Sequence, residues 1–107
     1  MTEQRKIHIA LSVASLDTVI DEYTQKLGIS PEVVVDNEYA LWRSETVNLS
    51  IRVDRSIPAG SLRHLGFEDP EAEGFTSSTD SCGILWERFR EQDQKNEIEE
   101  LWPGTIN

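Results

Sequence analysis

A chain of 107 residues, 37% hydrophobic and 28% charged, has material for one domain with a modest core, which excludes fibrous, collagenous and multidomain architectures. Twenty acidic residues against ten basic ones give a formal charge of -10. With no basic stripe to release counterions from a phosphate backbone, nucleic acid and anionic membrane drop out as partners.

The longest apolar run, Tyr39 to Trp42, is far short of the roughly 20 residues that span a bilayer. Met1 to Lys6 is polar and leads into no apolar leader segment. The single cysteine, Cys82, has no partner for an internal disulfide, so the expected location is a reducing cytoplasm.

Lys6 to Val13 alternates, with Ile7, Ile9, Leu11 and Val13 on one side and His8, Ala10 and Ser12 on the other, and reads as a strand. Ser15 is placed to cap a helix whose Leu16, Val19, Ile20, Tyr23 and Leu27 recur at helical steps, and Gly28 stands where a left-handed terminator is wanted. Glu32 to Val35 and Tyr39 to Arg43 flank the turn-prone Asp36-Asn37 as a hairpin. Val47 to Val53 alternates again, with Asn48, Ser50 and Arg52 on its polar side. The first half therefore reads β-α-β-β-β.

Leu62 to Glu68 repeats the logic of the first strand, with His64 and Gly66 opposite Leu65 and Phe67. Asp69 to Cys82, rich in proline, glycine, serine, threonine and acids, reads as a loop with at most one turn of helix. Gly83 to Phe89 and Glu97 to Trp102 read as two further strands joined by the polar Arg90 to Asn96, and the tail after Pro103 as frayed. The expected fold is a single α+β domain over 1–107, with one module at about 5–54 and a shortened one at about 61–103.

Both histidines of the chain, His8 and His64, sit third in an alternating strand and face away from its apolar side. If the two strands are equivalent, both imidazoles turn toward one interior, where Glu99 or Glu97 can join them. Two histidines and a carboxylate leave adjacent positions open on a metal, which suits Fe(II) and also Mn, Ni, Co or Zn. An ordinary half-buried histidine and an acidic solvated strand explain the same residues without a metal. No phosphate loop, CxxC, GxSxG or HExxH motif is present.

The order of elements and several motifs resemble the vicinal oxygen chelate superfamily, which includes glyoxalase I, extradiol dioxygenases and bleomycin-resistance proteins. His8-Ile9-Ala10-Leu11-Ser12-Val13, followed by Ser15-Leu16-Asp17 and a helix ending Lys26-Leu27-Gly28, is similar to the family's opening strand and helix. His64-Leu65-Gly66-Phe67 resembles the start of its second module, and Lys95-Asn96-Glu97-Ile98-Glu99 its closing turn and metal-binding glutamate. Tyr39-Ala40 and Leu62-Arg63-His64 are most similar to the branch of cadmium-induced proteins and organoarsenical lyases.

The resemblance implies two β-α-β-β-β modules around a divalent metal held by His8, His64 and Glu99, with the second module lacking most of its helix. Asn48 and Ser50 occupy the strand where glyoxalase-type members place a fourth carboxylate, and Ser81-Cys82 stands where the arsenical-lyase branch has adjacent cysteines. The expected function is a small metal-dependent lyase, isomerase or dioxygenase whose substrate binds through vicinal oxygens, with Asn48, Ser50 and Arg52 as substrate-binding residues. The alternatives are a metal-free ligand-sequestering protein of the bleomycin-resistance type and a non-catalytic interaction module. Leu65 and Phe67, left without a helix to cover them, imply a homodimer.

Overall fold

A computed structural model describes residues 5–106. Met1 to Gln4 and Asn107 lie outside the described residues, as does most of the N-terminal segment read above for a leader. The elements are β1 (Lys6–Val13), α1 (Asp17–Leu27), β2 (Val33–Val35), β3 (Tyr39–Arg43), β4 (Val47–Val53), β5 (Leu62–Glu68), β6 (Thr76–Thr79), β7 (Leu85–Phe89) and α2 (Glu91–Leu101). The strands form one mixed α+β sheet in the order β2-β3-β4-β1-β5-β7-β6. No described helix is long and apolar enough to cross a membrane.

The alternation read from the sequence sorts side chains onto two faces of this sheet. Val13, Ala40, Trp42, Leu49 and Ile51 share one face with Leu16, and Val19, Ile20 and Tyr23 of α1 pack against them. Trp42 donates its indole N–H to the Thr24 hydroxyl at 3.2 Å, which ties the helix to β3. Leu16, not Ser15, holds the N-cap position and no side chain caps the helix; Ser15 only accepts from the Asp17 N–H at 3.4 Å, and Gly28 ends the helix at φ 74°, a conformation costly for a residue with a Cβ. Phe67 lies on this same face, stacked on Trp86 with centroids 5.9 Å apart and capped by the Arg5 guanidinium.

The opposite face carries a second core of Val33, Tyr39, Leu41 and Ile98, with Trp102 and Ile106 against it. This corrects the C-terminal part of the sequence reading. Arg90 to Trp102 is not a polar link followed by a strand; Glu91–Leu101 is a helix. Only two apolar side chains occur in its eleven residues, so periodicity was a poor guide, but Glu, Gln and Lys favour helix and local pairs hold it. Asp93 accepts from the Arg90 backbone N–H at 2.9 Å, and Lys95 pairs with Glu91 one turn away.

The tail beyond Pro103 is not frayed among the described residues either. The Glu99 carboxylate accepts from the Gly104 and Ile106 backbone N–H groups, and Ile106 packs on the second core. The segment read as a loop from Asp69 to Cys82 contains β6, whose four residues are all exposed and carry no apolar signal. The segment 69–75 holds no helix, so β5 is followed by two strands and α2 rather than by a helix and three strands. Phe75 packs on Phe89, with ring centroids 5.2 Å apart.

Candidate metal centre

The face opposite α1 gathers the polar side chains of the alternating strands. β1 is central, pairing in parallel with β4 and antiparallel with β5, while β5 pairs in parallel with β7. His8 therefore lies directly across from Asn48, and Gly66 across from Glu87. The His8 and His64 imidazoles meet with their Nε2 atoms 3.0 Å apart. Glu87 Oε1 lies 3.1 Å from His64 Nε2. One ligand atom from each of the three residues falls within 4.8 Å of the others.

The carboxylate that joins the histidines is Glu87 of β7, not Glu99. The strand expected at Glu97 to Trp102 is helical, so positions two apart no longer share a face. Glu97 lines the cleft above the histidines, while Glu99 turns to the C-terminal backbone. Glu87 did leave a trace in the sequence. It shares a strand side with Leu85 and Phe89, and an acid between two apolar residues on one side of a strand is the pattern of a carboxylate turned inward.

A buried network orients His8. Asn48, fully buried, donates its amide hydrogens to Glu68 Oε1 and Gln94 Oε1, each at 2.8 Å. Glu68 is itself gripped by Arg43 through two bonds of 2.9 and 2.7 Å. A carboxylate can only accept, so the Asn48 NH2 must face Glu68 and its oxygen must face His8 Nδ1, 2.9 Å away. The Asn48 carbonyl, 3.2 Å from the same nitrogen, is also an acceptor. His8 Nδ1 therefore carries the hydrogen, and Nε2 presents a lone pair to the site. Burial holds the His8 pKa below its ordinary value, outweighing the Asn48 bond, so the ring is neutral and able to act as a ligand.

This donor set fits a metal. His8 Nε2 and Glu87 Oε1 are both acceptors, and His64 Nε2 between them supplies at most one hydrogen. A cation can satisfy all three at once. The 3.0 Å separation of the imidazole nitrogens equals the edge between adjacent ligands on an octahedron with bonds of about 2.1 Å.

Around these groups lies a cleft of about 400 Å³, counted out to open solvent, between the sheet and α2. Ser50 and Arg52, expected from the sequence as binding residues, line it. Asn48, the third of that set, sits beneath it in the network that holds His8. Sequence reasoning missed Tyr39, Arg63 and Trp102, which also border the cleft. Burial drives the Tyr39 hydroxyl pKa up, against the opposing bond to Ser50, so it stays protonated. Burial also raises the Glu97 carboxyl, with the Glu87 charge adding to the effect. No protein-family model matches this chain, and no curated protein sequence matches it.

Proposed function

We propose that the chain is a small metal-dependent enzyme in which His8, His64 and Glu87 hold a divalent Fe, Mn, Ni, Co or Zn ion, and that the cleft beneath α2 receives a small molecule bound through adjacent oxygens. The observation that carries this reading is the convergence of two imidazole nitrogens and a carboxylate oxygen around one point, with His8 preset in the tautomer a ligand needs. Three protein ligands on one side leave neighbouring positions open, and an ion so held acts as a Lewis acid on a coordinated oxygen. The parallel pairing of β1 with β4, matched by that of β5 with β7, supports a two-module ancestry of the vicinal oxygen chelate kind. Within that reading Glu87, on the last strand, takes the part the resemblance assigned to Glu99.

The test is metal content after purification without a histidine tag, followed by titration with Fe(II), Mn(II), Ni(II), Co(II) and Zn(II). About one ion per chain is expected for the wild type and for Glu99→Gln, with strong loss in His8→Ala, His64→Ala and Glu87→Gln. A wild type that takes up none of these ions refutes the metal reading and leaves ligand sequestration as the use of the cleft.

A further inference from the structure

Five of the ten basic side chains of this acidic chain are held by carboxylates. Arg43 is held by Glu32, Glu68 and Glu91, Arg63 by Asp54 at 3.3 Å, Arg88 by Asp69, Arg90 by Asp93 and Lys95 by Glu91. Arg52 differs. It borders the cleft beside the histidines, and its guanidinium lies 5.2 Å above the Trp102 ring, with no carboxylate in ion-pair reach among the described residues. Stacking on an aromatic face leaves the N–H donors at the rim of the guanidinium plane available to a ligand.

The charges in the cleft point the same way. With Arg63 answered by Asp54, Arg52 stands against Glu87 and Glu97, so a divalent ion leaves the cleft net positive although the chain as a whole carries -10. Surface charges act weakly beyond a Debye length of about 8–10 Å, so the local balance decides what binds. A planar guanidinium with several donors matches the two oxygens of a carboxylate. One unpaired cation suits one negative charge, and a narrow cleft suits a small molecule.

We propose that the molecule this site receives is a small carboxylate with a neighbouring oxygen, its carboxylate held by the Arg52 guanidinium and its other oxygen directed to the ion; the proposal rests on the metal reading above. Arg52 thus selects for an anion, where the acidic surface alone suggests a cationic ligand.

The experiment titrates the Co(II)-loaded protein with pyruvate, with hydroxyacetone, which keeps two adjacent oxygens and lacks the charge, and with inorganic phosphate, following the cobalt absorption bands. Pyruvate is expected to bind at least about tenfold more tightly than hydroxyacetone, the scale of a charge-assisted hydrogen bond. Arg52→Gln should remove that preference without weakening Co(II) binding, and Arg52→Lys, which keeps the charge and a stem over Trp102, should retain part of it. An unchanged preference in Arg52→Gln, equal binding of hydroxyacetone, or tighter binding of phosphate than of pyruvate overturns the proposal. Failure to take up Co(II) counts against the metal reading and is separable. The metal-free protein is then titrated with pyruvate while the Arg52 Nε–H resonance is followed; a saturable shift supports the carboxylate anchor, and its absence overturns it.

Discussion

Asn48→Ala is the substitution that most directly tests the network beneath the site. Asn48 makes four side-chain hydrogen bonds: to Glu68, to His8, and a reciprocal pair with Gln94. Removing the amide leaves its partners unequally placed. Glu68 keeps both bonds from Arg43, and His8 Nδ1 keeps the Asn48 carbonyl at 3.2 Å. Buried Gln94 loses both of its partners. A buried polar group left unsatisfied costs about 1–3 kcal/mol, so two of them and a small cavity predict a loss of about 3 kcal/mol.

Gln94→Ala is milder, at about 1 kcal/mol, because Asn48 keeps Glu68 and His8 as partners. In the double variant Gln94 is no longer there to be orphaned, so the two effects should fall short of their sum by about 2 kcal/mol. Urea unfolding of the metal-free proteins at neutral pH measures all three, and metal titration adds a second readout, with Asn48→Ala weakening affinity about tenfold through His8. An additive cycle, or a Gln94→Ala loss equal to that of Asn48→Ala, refutes the network as described.

The other predictions concern acid and backbone. Burial alone raises the Glu68 pKa, but the hydrogen bonds from Arg43 and Asn48 outweigh it and hold the carboxyl below 4.5. The unfolded chain therefore takes up this proton first as the pH falls; the stability Glu68 supplies is complete above about pH 4.5 and is lost as the pH drops through the lower folded value. Glu68→Gln should flatten the acid limb of a pH–stability profile, and an unchanged limb would show that the Arg43 bonds contribute nothing. Gly66→Ala should destabilise by about 1–3 kcal/mol and weaken metal binding together, because an added Cβ runs into the Glu87 backbone on β7, which cannot yield as a flexible side chain would. A wild-type thermal midpoint for Gly66→Ala would mean that the two strands are not so closely apposed.

Elements whose apolar residues recur with a clear period were legible without the fold. β1, β4 and β5 run over the residues their alternation marked out, β3 over the apolar run beyond the Asp36-Asn37 turn, and α1 ends where Gly28 adopts positive φ. In these segments burial of one side is enough to choose the local structure. The same alternation turned His8 and His64 away from the apolar sides of their strands, and the antiparallel pairing of β1 with β5 put both on one face. β6 and α2 were hidden for opposite reasons. β6 is an exposed edge of Thr and Ser whose stability comes from its pairing with β7. α2 buries only Gln94 and Ile98, so its position depends on the core it covers and on one amide pair.

The third ligand shows the limit most clearly. Whether Glu87, Glu97 or Glu99 meets the histidines depends on β7 lying parallel to β5 with Glu87 opposite Gly66, and on α2 turning Glu99 toward the tail. Both are contacts between segments distant in sequence, and local periodicity carries no information about such pairings. The sequence alone determined which side chains share a strand face; tertiary packing decided which faces meet, because only the assembled sheet brings their atoms to a common point.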